Sequence, residues 1–303
     1  MNLRMLKPIC WFALFCSFAL SAETLFAAAT SKRVLFFSKS SGFEHSVIKK
    51  SGDEVSHAEK ILKELGAKNN IEFTFSKDGR LFTPENIAVF DAFFFYTTGD
   101  LTEAGKDGNP PMSPEGKAAF LEAIKKGKGF VGTHSATDTF HSPGNKDHGE
   151  ARYQMDGDNA DPYVKMIGAE FIRHGDQQPS RMIVADKKFP GISAVPPDFG
   201  PLEEWYSLKN FAPNLHVLLI QDTSTMKNNM YQRPPYPATW ARMHGKGRVF
   251  YTSMGHREDI WTNPVFQEVL AGGINWAVGN VKANVKPNID KVTPKANELP
   301  PSK

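Results

Sequence analysis

The sequence predicts an α/β fold whose mainly parallel sheet carries helices on both faces. Between residues 32 and 132, short apolar runs alternate with amphipathic segments in the order β-α-β-α-β-α-β. Parallel strands joined by helical crossovers produce this alternation. Two of the runs, Lys32–Ser38 and Asp91–Thr98, are continuously apolar at their centres, as expected of strands that are buried on both sides.

The first half of the chain supplies four strands and three helices in this prediction. The strands are Lys32–Ser38, Ile71–Ser76, Asp91–Thr98 and Phe130–Gly132. The first helix places its apolar residues on one face, namely Val55, Ala58, Ile61, Leu62 and Leu65. We expect Gly66 to end it. The other two helices begin where a proline takes the first helical position, at Thr83-Pro84-Glu85 and Ser113-Pro114-Glu115.

The second half is predicted to add more strands and two helices. The strands are Glu170–Ile172, Arg181–Ala185 and Leu215–Gln221, followed by a hairpin of Ala238–Met243 and Arg248–Ser253. The helices are Asp161–Ile167 and one that begins at Asn263-Pro264. Gly272-Gly273 weakens the last helix by about 1 kcal/mol per glycine relative to alanine, which indicates close packing there. Long polar stretches at 141–160 and 224–237 are expected to be loops that shape a pocket.

Both ends of the chain are predicted to lie outside the domain, which is assigned to residues 30–281. Residues 1–29 have the pattern of a signal peptide, with an apolar run at Ile9–Leu20 and a small-residue cleavage signal at Ala27-Ala28-Ala29. We therefore expect export to the periplasm or secretion, with no membrane span after cleavage. Residues 282–303 are rich in Pro, Lys and Asn and are predicted to form a disordered tail.

Composition argues against several classes of function. The formal net charge is +3 and the Lys and Arg residues are scattered, so no nucleic-acid partner is expected. Both cysteines, Cys10 and Cys16, lie in the predicted signal peptide. Their removal would leave no thiol nucleophile, disulfide or Cys-ligated zinc. The sequence has no CxxCH motif, and we expect neither a haem nor a nucleotide cofactor.

Candidate functional side chains follow the predicted strands. In an open α/β sheet, the ligand crevice lies beyond the carboxyl ends of the strands. The residues at such positions are His45, Asp100, His134 and His256. Longer loops that could fold over the same crevice add His141, His148, His174, Asp176 and Glu204.

Several kinds of chemistry are open to these residues. Three loop histidines and a carboxylate would make an open zinc site, although the sequence has no HExxH motif. Paired carboxylates for glycoside hydrolysis are available among Asp100, Asp138, Glu204 and Asp259. A serine nucleophile is disfavoured, because His134 takes the central position of the strand-to-turn elbow. Loop aromatics that could stack on a sugar ring are Phe43, Phe140, Trp205, Tyr206, Tyr231, Tyr236 and Trp261.

Five segments together resemble the trehalose-utilisation ThuA-like family. They are SKSSGFEH at 38–45, GKGFVGTHSATDTF at 127–140, FIRHGD at 171–176, EEWY at 203–206 and ATWARMHGKGRVFYTSMGHRED at 238–259. The resemblance implies a flavodoxin-like fold of the class I glutamine amidotransferase-like superfamily. His134 stands where those relatives carry a catalytic cysteine, so a glutaminase is excluded.

The resemblance also implies a small carbohydrate or keto-sugar derivative as the ligand and a divalent metal such as zinc as the cofactor. The implied metal ligands are His45, His134 and His256. Acid/base chemistry is assigned to His134 and Glu204, and substrate contacts to His45, Asp100, Asp138, Trp205 and His256. Three functions follow from this: a carbohydrate-active enzyme of hydrolase or isomerase type, a sugar-binding protein without turnover, and a partner-binding subunit of an exported complex.

Overall fold

The computed structural model of the chain describes residues 1, 31–52, 54–145 and 149–302. Nearly all of the predicted signal peptide, together with His148, lies outside the described residues. In these ranges no helix is both long enough and apolar enough to cross a membrane.

The strands of the described chain have bounds close to those predicted. They are β1 Lys32–Phe37, β2 Ile71–Ser76, β3 Ala92–Phe95, β4 Gly129–Thr133, β5 Glu170–His174, β6 Gln178–Pro179, β7 Met182–Val184, β8 Leu202–Glu203, β9 Tyr206–Lys209, β10 His216–Gln221, β11 Tyr236–His244 and β12 Gly247–Thr252. The short strands β6 and β8 and the strand β9 were not predicted, because the polar residues around them interrupt the apolar pattern.

A central sheet takes up eight of the strands in the described residues, in the order β2-β1-β3-β4-β12-β11-β10-β7. Neighbouring strands from β2 to β12 run parallel. The predicted hairpin of β11 and β12 is antiparallel, and β10 and β7 continue the sheet with antiparallel pairs. The smaller pairs β5–β9 and β6–β8 lie outside this sheet. The predicted α/β fold class is confirmed.

Helices cover both faces of the central sheet. The described helices are α1 His57–Asn69, α2 Pro84–Ala88, α3 Pro114–Lys126, α4 Pro162–Ile167, α5 Glu258–Trp261, α6 Pro264–Ala277 and α7 Ile289–Val292. Apolar residues of α1 and α6 pack in one core cluster with Val34 and Phe36 of β1. Those of α3 and α4 pack in a second cluster with Leu35 and Phe37. Successive side chains of a strand point to opposite faces, so one buried strand serves both clusters.

Two glycine predictions for the helices have different outcomes. Gly66 does not end α1, which runs to Asn69 and is capped by Asn70 at a φ of 55°. Asparagine tolerates this left-handed conformation, so it replaces the expected glycine cap. The close packing predicted at Gly272-Gly273 is confirmed, because a Cβ atom on Gly272 would lie 2.0 Å from the carbonyl oxygen of Pro190.

The C-terminal tail, which the sequence predicts to be disordered, packs against the domain in the structure. The Asn288 side chain accepts a hydrogen bond from the Val217 N–H (2.6 Å) and donates one to the Val217 carbonyl oxygen (3.1 Å). Asn297 makes the same pair of bonds to Phe211, and Ile289 is buried. The tail is fastened by asparagine amides that imitate a neighbouring strand, a kind of anchoring that hydrophobic periodicity does not reveal.

Candidate functional site

Three histidines meet beyond the carboxyl ends of parallel strands. His45 follows β1, His134 follows β4 and His256 follows β12. The ring centroids are 4.9 Å apart for His45 and His134, 5.2 Å for His45 and His256, and 5.0 Å for His134 and His256. The parallel topology thus brings together imidazoles that are far apart in the sequence.

Glu204 completes this group, which we call the histidine cluster: His45, His134, Glu204 and His256. Each residue offers one ligand atom, and the four atoms all lie within 4.8 Å of one another. The Glu204 Oε2 atom is 3.6 Å from His134 Nε2 and 3.2 Å from His256 Nδ1. Three imidazole nitrogens and a carboxylate oxygen form a donor set that suits zinc and similar divalent ions.

The backbone holds His134 in place. The residue has a φ of 42°, in the left-handed region that is rare outside glycine, and it turns the chain from β4 into a short 3-10 helix. The ring Nδ1 atom lies 3.2 Å from the Ser253 carbonyl oxygen. Because a carbonyl oxygen can only accept, Nδ1 carries the proton and Nε2 presents a lone pair to the cluster.

A buried carboxylate positions His256. The Glu203 oxygens accept hydrogen bonds from the His256 N–H (2.8 Å) and the Arg257 N–H (3.2 Å). Burial raises the pKa of Glu203 well above its usual range, although these N–H groups oppose the shift. Glu203 is not among the residues predicted from the sequence, and the only signal for it there is the doubled acid in EEWY.

The EEWY segment alternates between the cavity and the protein interior. Glu204 and Tyr206 line the cavity, whereas Glu203 and Trp205 do not. The structure therefore does not support the substrate contact predicted for Trp205. Its side chain is fully buried, and its indole N–H donates to the Gln178 carbonyl oxygen at 2.8 Å. In an extended segment, alternate side chains point in opposite directions, so adjacent Glu204 and Trp205 cannot both face the ligand.

Burial and mutual contacts set the charge state of the histidine cluster. Burial lowers the pKa of His45 well below its usual value, and the neighbouring His134 and His256 lower it further. Burial also lowers the pKa of His134, although Glu204 opposes this shift. For Glu204, burial acts against ionisation, but its contacts with His134 and His256 outweigh this effect and hold its pKa well below its usual range. Neutral imidazoles beside an ionised carboxylate are the form that binds a metal.

A cavity of about 920 Å³ opens above the cluster. His45, Glu204 and His256 reach its surface, and so do the predicted substrate contacts Asp100 and Asp138. His134 does not line the cavity and is fully buried. This position favours the metal-ligand role implied for His134 over proton transfer to a substrate.

The loop candidates are divided between the cavity and other places. His174 lines the cavity and its Nδ1 lies 3.3 Å from Glu204 Oε1. His141 also lines the cavity, and its Nε2 atom lies 2.7 Å from Asp138 Oδ1. Asp176 is exposed, and Asp259 pairs with Arg257 at 2.9 Å. Residues that line the cavity but were not predicted to act there include Arg152 and Tyr153 from the 141–160 loop.

Comparisons with known proteins agree with the fold. A family model for ThuA, described as trehalose utilisation, matches residues 33–277. A ThuA-like protein of Bacteroides uniformis has a similar structure, with a TM-score of 0.59 and 18% identity over 84% of this chain and 95% of that chain. A ThuA-like protein of Parabacteroides merdae gives a TM-score of 0.53 and 16% identity over 89% and 96%. A search of curated proteins finds no match.

At these identities the solved structures establish the shared fold only, whereas the family model spans most of the sequence. The segments that suggested the resemblance, from SKSSGFEH to MGHRED, all lie within the matched region. The chain belongs to the ThuA family of trehalose utilisation.

Proposed function

We propose that the protein holds a divalent metal such as zinc in the histidine cluster and uses it in chemistry on a carbohydrate or keto-sugar derivative. The observation that carries this proposal is the convergence of four ligand atoms within 4.8 Å at the floor of a large cavity. Buried histidines do not group in this way without a partner for their lone pairs.

The local surroundings of the cluster fit a metal. His45 Nδ1 is buried and has no hydrogen-bond partner among the described residues. His134 Nε2 presents a lone pair, since Nδ1 donates to Ser253. Glu204 is ionised, and Glu203 fixes the backbone that carries His256. Ligands supported by such outer contacts are typical of metal sites.

Each residue has a distinct role in the proposed mechanism. A divalent ion held there would act as a Lewis acid toward a carbonyl oxygen. His45, His134 and His256 hold it, and Glu204 balances its charge. Asp100 and Asp138, on the cavity surface, bind substrate hydroxyl groups. Tyr206 and Phe171, whose ring centroids are 4.1 Å apart, form part of the cavity wall.

A carbohydrate fits both the cavity and the family. Pockets for small ligands usually measure about 300–1,000 Å³, and the cavity of about 920 Å³ can take a disaccharide. The family is described by trehalose utilisation. Trehalose and 3-ketotrehalose are therefore the first compounds to test. Export of the protein to the periplasm or beyond the cell stays a prediction.

The metal is tested by stripping the purified protein with a chelator and titrating it with Zn²⁺ under calorimetry and elemental analysis. We expect one zinc per chain, with His45→Ala weakening binding by more than about 100-fold, since even an outer contact is worth 10–100-fold. His244→Ala is the matched control, because His244 ends β11 outside the cluster. Equal zinc binding by the two variants would refute the proposed site.

The chemistry is tested by incubating zinc-loaded protein with trehalose or 3-ketotrehalose and following products by chromatography. Turnover that disappears in His45→Ala supports a metal-assisted enzyme. Binding of either sugar without turnover would instead favour the sugar-binding function. Absence of binding and of turnover with every sugar tested would overturn the carbohydrate proposal.

A further inference from the structure

A second polar network reaches the cavity apart from the histidine cluster, through Asp138, His141 and Arg152. At its centre, His141 Nε2 is 2.7 Å from Asp138 Oδ1 and His141 Nδ1 is 3.2 Å from Glu170 Oε1. A carboxylate oxygen only accepts, so each ring nitrogen donates and the ring is an imidazolium. Burial would lower the pKa of His141, but the hydrogen bonds to Asp138 and Glu170 outweigh it and raise the pKa.

Glu170 anchors the network from within the protein. Its side chain is fully buried, and it accepts hydrogen bonds from the Ser142 N–H (2.8 Å) and hydroxyl (2.7 Å). The side-chain amides of Asn145 and Asn210 donate to it at 3.2 and 2.9 Å. With these donors and His141, both carboxylate oxygens of Glu170 are satisfied.

Arg152 adds a second cation next to Asp138. It comes from the 141–160 loop, is buried, and lies with Nη1 3.6 Å from Asp138 Oδ1. Its Nε donates to the Asn145 carbonyl oxygen at 2.6 Å, and its guanidinium stacks over the Phe171 ring at 5.3 Å. Two cations thus hold one carboxylate that faces the cavity.

Asp138 reaches the cavity with part of its side chain. The side chain is 16% exposed and lines the cavity. Its Oδ1 atom is taken by His141, whereas Oδ2 receives no hydrogen bond from the residues that the structure describes. An ionised carboxylate with one oxygen fixed from behind and the other open can accept hydrogen bonds from hydroxyl groups.

We infer that Asp138 is the specificity-determining residue that recognises a sugar hydroxyl, and that His141, Glu170 and Arg152 are positioning residues that keep its carboxylate oriented. The inference rests on the proposed carbohydrate function. It adds to the site a sugar-recognition group that is separate from the metal ligands. The 141–160 loop then has a role: it supplies the guanidinium that supports the recognising carboxylate.

If Asp138 only stabilised the fold, its substitution would lower the Tm without a specific effect on sugar binding. Asp156 is a suitable residue for comparison. Asp156 belongs to the same network and is similarly buried, with 12% of its side chain exposed. It pairs with Lys209 at 2.7 Å and accepts from Asn210 at 2.8 Å, but it does not line the cavity. Asp156→Asn therefore matches Asp138→Asn in chemistry and burial without touching the ligand space.

The test measures the Kd of trehalose and 3-ketotrehalose for zinc-loaded protein by calorimetry, together with the Kd for Zn²⁺ and the Tm. Asp138→Asn is expected to weaken sugar binding by about 10-fold or more, as loss of a charged hydrogen bond does, with zinc affinity unchanged. Asp156→Asn is expected to lower the Tm and to leave sugar binding within about 2-fold. His141→Gln, which retains a hydrogen-bond donor but not the charge, provides a second variant and should weaken sugar binding in the same direction.

Equal sugar affinities of Asp138→Asn and Asp156→Asn would overturn the inference while leaving the proposed function intact. The inference is also overturned if Asp138→Asn does not fold and His141→Gln binds sugar as tightly as the unmodified protein. Failure of the unmodified, zinc-loaded protein to bind either sugar would instead overturn the carbohydrate function and the inference with it. Failure to bind zinc, with sugar affinity still dependent on Asp138, would refute only the metal.

Discussion

His134 Nε2 and His256 Nδ1 lie 3.2 Å apart, with His256 at the cavity surface and His134 buried behind it. The other nitrogen of His134 is committed to the Ser253 carbonyl oxygen, so its Nε2 atom carries no proton. Two facing imidazole nitrogens at this distance need either one proton or one cation between them. The distance between these two nitrogens therefore indicates that the cluster holds a shared proton or a cation.

Glu203 is predicted to control the metal affinity without contacting the metal. Glu203→Gln replaces one of the two carboxylate oxygens that face the His256 N–H with an amide nitrogen that cannot accept from it. The backbone beneath His256 should shift, and the affinity for Zn²⁺ should fall by about 10-fold. Calorimetric titration measures this fall, with exposed Glu122→Gln on α3 as the control. An unchanged zinc affinity in Glu203→Gln would contradict the positioning role.

Glu170 is predicted to make the protein sensitive to acid. Burial would raise its pKa, but hydrogen bonds from His141 and Ser142 lower it from 4.5 to about 2. A carboxyl whose pKa is lower in the folded state contributes stability above pH 4.5, and this contribution is lost as the pH falls toward 2. The difference in unfolding free energy between the unmodified protein and Glu170→Gln should therefore shrink by about 2 kcal/mol between pH 6 and pH 3.

Urea denaturation of both proteins across this pH range provides the measurement. Groups that do not contact Glu170 titrate equally in the two proteins, so the difference reports Glu170 together with its hydrogen-bonded partner His141. A difference that stays constant with pH would mean that Glu170 is not ionised in the folded protein.

Gly272→Ala is predicted to destabilise the protein, although alanine is the better helix former. Helix propensity alone would favour the change by about 1 kcal/mol. The added Cβ would meet the Pro190 carbonyl oxygen at 2.0 Å, and relieving such overpacking should cost about 2 kcal/mol net. Denaturation of Gly272→Ala, compared with Ala271→Gly in the same helix, checks the sign. Stabilisation by Gly272→Ala would disprove the close contact.

Asn288→Ala is predicted to loosen the C-terminal tail. The substitution leaves the N–H and carbonyl groups of Val217 without their partner, at a cost of about 1–3 kcal/mol. Hydrogen exchange at the Val217 amide should become faster. Asn284→Ala, whose side chain bonds within the tail to Lys286, is the control. Slow exchange at Val217 in Asn288→Ala would show that the tail is anchored in another way.

Much of this arrangement could be predicted from the sequence because strand ends meet in a parallel sheet. Apolar runs located β1 to β4, and the polar residue after each run gave His45 and His134. The contact between Asp138, His141 and Glu170 could not be predicted, because it depends on β5, which lies outside the central sheet. Trp205 was misassigned because the EEWY segment is not predicted to be extended, so the alternation of its side chains could not be used.

The four members of the histidine cluster come from four separate stretches of the chain, and nothing local holds any two of them together. A cation bound by all four would thus cross-link segments that are far apart in the sequence. Only a fully folded chain would bring all four ligands together, so a partly folded chain would bind the ion weakly and release it.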